Sequence, residues 1–360
     1  MTEEIGANPV LAEAVRGDFV ERVHRGAWAV CAPSGAVVAA AGDVERRFLP
    51  RSAIKLFQAL PMVESGAADA RRLDARRLAL ACASHQGSRA HAALAAAWLG
   101  EMGLGERDLM CGAQAPSDAE TRRALRNDGA AASQLHNNCS GKHTGFLTQA
   151  LHLRAPTEDY VDARHPVQRA VADAFAEATG EDAPLGWAVD GCSAPNFAVR
   201  LRALAAAAAR VARPQEGFGP GVRAAAAARL RDAMMAHPFE VAGAGRACTE
   251  MMEAAAGRAA VKTGAEGCFV AYLPQAGLGI ALKIDDGSTE AAECAMAALL
   301  ARFGAVDPAH PRVRRRLNPA IVNRRGLTVG AVRPGAGLGA GLGADLGAGL
   351  GAGLGGVTLS

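Results

Sequence analysis

Apolar and polar positions alternate near both ends of the chain and recur at helical spacing between them. Residues 19–24, 27–32 and 36–41 read as short strands, with Pro33-Ser34-Gly35 turning the chain between the last two. Pro50-Arg51-Ser52 starts a helix whose apolar residues Ile54, Phe57, Leu60 and Val63 share one face. From about 65 to 255 the pattern is Ala-rich and helical, broken by polar loops at 84–88, 111–118, 134–145 and 190–197. Strand patterning returns at 267–273 and 278–284 around the turn Pro274-Gln275-Ala276-Gly277; a helix over 288–302 and a strand over 327–332 follow. Strands at both ends with helices between them predict an α+β fold. One antiparallel sheet is assembled from the two termini beside a largely helical middle, all within a single domain over 1–333. Past that point the chain repeats Gly-Ala-Gly-Leu up to Gly356. Glycine lacks the every-third-residue period of collagen there, and its ordering cost is high with little side chain to bury, so 334–360 is expected to be a mobile tail.

Composition narrows the classes. Half of the 360 residues are apolar and the net charge is +3, as in a globular protein. Aromatics are 4 % and no basic block carries them interleaved, which argues against a nucleic-acid surface. No run reaches the roughly 18 apolar residues of a membrane span. Met1-Thr2-Glu3-Glu4 has no secretory pattern. Eight scattered Cys (31, 82, 111, 139, 192, 248, 268 and 294) then suit reduced thiols in the cytoplasm.

Only four of the 39 basic residues are Lys (55, 142, 262 and 283); the rest are Arg. Arginine keeps its proton in a protein, whereas a buried lysine can lose it, so these positions are the first candidates for proton chemistry. Ser52-Ala53-Ile54-Lys55 puts an amine three residues from a hydroxyl at a helix start, within reach if the two share a face. A serine needs such a neighbour to take its proton. Lys262-Thr263-Gly264 precedes a predicted strand, and Ser-x-x-Lys with a later Lys-Thr-Gly is the combination of serine β-lactamases and penicillin-binding proteins. Their intervening Ser-x-Asn element has its nearest counterpart in Ser84-His85-Gln86, an imperfect match that points to a related acyl-transfer site.

The densest stretch of chemistry is His136 to Phe146, which holds Asn137, Asn138, Cys139, Ser140, Lys142 and His143. It reads either as a polar helix cap or as a working loop. Cys139, Lys142 and His143, with Cys192 in Asp190-Gly191-Cys192-Ser193, offer donors that suit tetrahedral zinc; inert buried thiols are the alternative. A phosphate loop is excluded, because His136 and His143 stand where a Walker pattern needs Gly and Ser or Thr.

Together the motifs resemble one family. Arg51-Ser52-Ala53-Ile54-Lys55 with Gln58, Ala83-Ser84-His85, Cys111-Gly112, His136 to Gly145, His165-Pro166-Val167-Gln168, Asp190 to Asn196 and Lys262 to Gly267 are similar, in order, to the rhizobial-type L-asparaginases of the asparaginase II family. The resemblance covers about residues 10 to 333. It implies a serine β-lactamase/glutaminase-like fold and hydrolysis of L-asparagine to L-aspartate and ammonia. It also implies Ser–Lys pairs at Ser52 with Lys55 and Ser84 with Lys262, and a zinc-type ion on Cys139, Lys142 and Cys192. Arg51, His85, Asn138 and Asp190 would then face the substrate. A homodimer is the expected assembly. Two departures bear on activity: Ser88 stands where the family usually has glutamate, and Gln114 where it often has histidine. Alternatives are a glutaminase or other serine amidohydrolase on the same site, a catalytically dead homologue, and a non-catalytic zinc-thiolate or redox-sensing protein built on Cys139 and Cys192.

Overall fold

The computed structural model describes residues 7–181 and 185–339. The longest strand, β2 (Phe19–Cys31), follows β1 (Val10–Arg16) and precedes β3 (Val37–Ala41). The two strands expected over 19–24 and 27–32 are its two halves. The first half pairs with β1, and from Gly26 the second pairs with β6 (Leu278–Ile284) on one edge and β3 on the other. Gly26 makes the handover possible, because a Cβ there would overlap the Lys283 carbonyl on the neighbouring strand.

The remaining strands come from the C-terminal part: β4 (Ala260–Thr263), β5 (Cys268–Leu273), β7 (Ala320–Val322) and β8 (Thr328–Pro334). They complete an eight-stranded sheet in the order β7-β8-β1-β2-β6-β5-β4, with β3 on β2 and every pairing antiparallel. The sheet built from both termini is therefore present. Strands β1, β4 and β7 are additions to the elements read from the sequence.

All six residues of β5 are buried, so both faces of the sheet are covered there. Helix α5 (Leu201–Ala212) packs on β2, β5 and β6, and α7 (Thr289–Arg302), capped by Ser288, packs on β1, β5, β6 and β8. The alanine face of α5 runs so close to the sheet that a Cβ on Gly279 would overlap Ala205 and Ala209 backbone atoms. In the helical middle, α1 (Lys55–Glu64) is buried from Lys55 through Val63. Around it stand α3 (Ser140–His152), α4 (Pro166–Thr179) and α6 (Val222–Ala236), with α2 (Ala75–Ala81) against α3 and α6. Among the described residues no helix is long and apolar enough to cross a membrane. Of the expected tail, 334–339 packs against the body and 340–360 lies outside the described residues.

Candidate active site

Four segments converge where α1 begins. Residues Arg51–Ile54 form a 3₁₀ turn ahead of α1 rather than the first α-helical turn expected from the sequence. Arg51 sits in the left-handed region (φ 53°), a strained conformation for a side chain of that size. It is clamped on both sides: its N–H donates to Asn196 Oδ1 (3.2 Å), and its Nε donates to Asp190 Oδ1 (2.7 Å). Gly264, at the end of β4, lies against this turn, and a Cβ there would overlap Pro50 O. Ser52 is thus presented on a held, half-buried corner.

The two serines differ in their partners. Lys262 Nζ donates to Ser84 Oγ (2.8 Å) and to Thr263 O (2.7 Å), with Ser84 just past α2 and Lys262 on β4. Burial, reinforced by the neighbouring Lys55 charge, brings the Lys262 amine down to about 7. Lys55 is equally buried but donates to the carbonyls of Ala83 and Asn138 (3.1 Å to the latter). Among the described residues no hydrogen bond joins Lys55 to Ser52. The i,i+3 spacing predicts that contact. Both hydrogen bonds of the Lys55 amine among the described residues go instead to backbone carbonyls, those of Ala83 and Asn138.

The His136 to Phe146 stretch leads into α3 as a helix start, yet it is more than a cap. Asn137 Nδ2 bridges the carbonyls of Cys111 and Gly112 (2.9 Å each), and its Oδ1 accepts from Cys139 N–H (2.8 Å). Gln114 Oε1 accepts from Asn138 N–H (3.0 Å), on the same residue whose carbonyl takes Lys55. Gly141 fits α3 tightly against Leu80 O at the end of α2. Asn137 entered the sequence reading only as one member of the 136–146 stretch, and Gln114 only as a departure. The amide of Asn137 beside a motif thiol was the available signal.

His85 is not free to touch a ligand through either ring nitrogen. Its Nδ1 accepts from Gly87 N–H (3.1 Å), which leaves Nε2 to donate to Ser140 Oγ (3.0 Å), and burial holds it well below the ordinary imidazole range. Ser88 caps helix Arg89–Glu101 and bonds His91 Nδ1 at 2.6 Å, so the hydroxyl at this departure has a structural post.

Cys139, Lys142 and Cys192 meet as the resemblance implied. Lys142 Nζ lies 2.9 Å from Cys192 Sγ, and all three residues are buried. The Cys139 thiol, acting first, and then the Lys142 charge hold Cys192 well below the usual thiol range, while Cys139 is raised. Burial opposes the Lys142 charge, yet the two sulfurs together raise its pKa. The buried Nε2 of adjacent His143 has no hydrogen-bond partner among the described residues. Two sulfurs and an amine are a donor set that fits a zinc-type ion. No group of three or more His, Cys, Asp or Glu arranged for a metal occurs among the described residues; here the third donor is an amine.

The family model described as L-asparaginase II matches residues 12–334. The chain belongs to the L-asparaginase II family. That match spans every segment of the candidate site and makes an amidohydrolase the activity class. No curated protein sequence matches. Among solved structures, a β-lactamase (Mb2281c) from Mycobacterium bovis is similar at 16 % identity over 77 % of this chain and 94 % of that one, with a TM-score of 0.38. Mglu in its tris and glutamate form is similar at 14 % identity over 83 % of this chain and 64 % of that one, with a TM-score of 0.45. Mglu in its glutamate form gives 14 %, 78 %, 61 % and 0.41. This chain therefore spans under two thirds of the Mglu chain in both forms.

Proposed function

We propose that this L-asparaginase II family chain hydrolyses the side-chain amide of L-asparagine through an aspartyl ester on Ser52. The observation that carries the reading is the buried Lys262 amine, poised near neutrality and bonded to Ser84, with a second buried amine, Lys55, close by. Lys262 lies close enough to Lys55 to be lowered by its charge, and the two amines take and give protons in turn. The carbonyls of Ala83 and Asn138 hold two of the Lys55 N–H bonds, and the amine's remaining position is the one assigned to the Ser52 proton.

Ser52 Oγ attacks the amide carbon while its proton passes to Lys55. The C–N bond breaks, and the nitrogen leaves as ammonia with a proton from Ser84, which Lys262 resupplies. Water then adds to the ester and loses its proton through Ser84 to Lys262; the C–O bond breaks, and Lys55 returns a proton to Ser52. Ser52 is favoured over Ser84 as nucleophile because it is the less buried and stands on the strained, clamped turn. Cys139, Lys142 and Cys192, with Asp190 beside them, would hold a zinc-type ion, which when bound supplies positive charge and ties the 190–196 hairpin to the start of α3. A homodimer in the cytoplasm remains part of this reading.

Rapid quenching of the enzyme with L-asparagine, followed by peptide mass mapping, tests the assignment. An aspartyl adduct is expected on the peptide bearing Ser52; an adduct on Ser84 would move the nucleophile there.

A further inference from the structure

Beyond the active site, β8 runs into a socket that grips 335–339, the first unit of the C-terminal repeat. Each position has its own requirement. Gly335 N–H donates to Leu11 O (2.9 Å), and a Cβ there would overlap Val10 O. The Gly337 carbonyl accepts the Trp28 indole N–H (2.9 Å), and a Cβ there would stand 2.7 Å from both Pro9 Cβ and Val10 O. Leu338 is fully buried, and its carbonyl accepts from Arg302, whose guanidinium lies over the Trp28 and Phe303 rings (5.4 and 5.7 Å). Gly339 has φ +95°, and a Cβ there would collide with Arg302. Ala336 alone is exposed. The socket therefore reads Gly-x-Gly-Leu-Gly.

The chain contains that pentapeptide as Gly-Ala-Gly-Leu-Gly at 335, 339, 347 and 351. The unit beginning at 343 does not fit, because Asp345 stands where the Pro9 and Val10 contacts demand glycine. We propose that the socket is a binding site for the repeat unit as such, and that the copies at 339–343, 347–351 and 351–355 of the same chain exchange with 335–339 in it. Docking the second copy loops out four residues, and loop-closure cost grows only with the logarithm of length. A tether this short keeps the competing unit at a millimolar effective concentration, so the same chain's copies outcompete those of another molecule. The strap between sheet and tail can thus be lengthened in set steps while the socket stays filled.

The Trp28 indole N–H resonance of the full chain, assigned through Trp28→Phe, reports socket occupancy. Leu338→Asp alone is expected to leave it near its wild-type position, because a downstream leucine takes the place. Combining Leu338→Asp with Leu342→Asp, Leu350→Asp and Leu354→Asp is expected to shift it and lower the thermal midpoint. The three downstream changes with Leu338 intact are expected to leave it in place, and a shift in that control would contradict the proposal. A single change that shifts the resonance as far as the fourfold one would overturn register exchange. A fourfold variant with no shift would overturn recognition of the leucine. Retention in Leu338→Asp that fades on dilution would assign the docked unit to a second molecule and overturn exchange within one chain.

Discussion

Lysine is the informative residue type in this chain. Three of its four lysines, Lys55, Lys142 and Lys262, are buried at the candidate site, where an arginine-rich protein has kept the one cation able to give up its proton. The Lys262 amine near 7 sets an expected pH dependence. The water step needs that amine neutral to take the proton passed through Ser84, so kcat for amide hydrolysis should rise as pH climbs through about 7. A profile already flat between pH 5 and 8 would contradict proton transfer through Lys262. Lys55→Arg keeps the charge and removes the lone pair; turnover should fall by about 10³-fold or more, as for loss of a general base. Near-normal kcat in that variant would remove Lys55 from proton transfer.

At the scale of elements, the site depends on close backbone approach. Gly264 brings β4 against the turn that carries Ser52, and Gly141 brings α3 against α2. Gly264→Ala inserts a methyl group against Pro50 O. The expected cost is about 1–3 kcal/mol in denaturant unfolding, together with a fall in kcat as the turn shifts. Unchanged stability and unchanged kcat would show that the two elements are less tightly fitted. These approaches also mark what the sequence could convey. The pairing of Ser84 with Lys262 came with the family resemblance, carried by Ala83-Ser84-His85 and Lys262-Thr263-Gly264, and the structure brings the two together. The Ser52–Lys55 contact was inferred from i,i+3 spacing, but the Lys55 amine is taken by the carbonyls of Ala83 and Asn138, and no propensity signals the left-handed Arg51 that its distant partners Asp190 and Asn196 hold. His85 lay inside a motif, yet its ring is consumed by Gly87 and Ser140, contacts that need tertiary structure to be seen. Strand β4 escaped for another reason: a four-residue segment buried on both faces shows no alternation.

For the whole molecule, a buried lysine with a lowered pKa couples stability to pH. The folded state holds fewer protons at Lys262 than the unfolded chain does between about 7 and the ordinary lysine value near 10.4, so this residue makes stability rise with pH across that window. Its destabilising effect is present in full below about 7. Lys262→Met should flatten the slope of unfolding free energy between pH 7 and 10 while abolishing turnover; an unaltered slope would show that the amine is not depressed in the fold. The sheet built from both termini explains why the chain closes as one body. β1 and β2 lie between β8 and β6, so neither end can leave without opening the sheet that carries Lys262. The central claim, amide hydrolysis of L-asparagine at Ser52, meets its most direct test in ammonia released by the full chain from L-asparagine, with Ser52→Ala alongside. The expected result is catalytic turnover by the parent chain and none above background from the folded variant. Equal ammonia release from the two, or none from the parent, would contradict it.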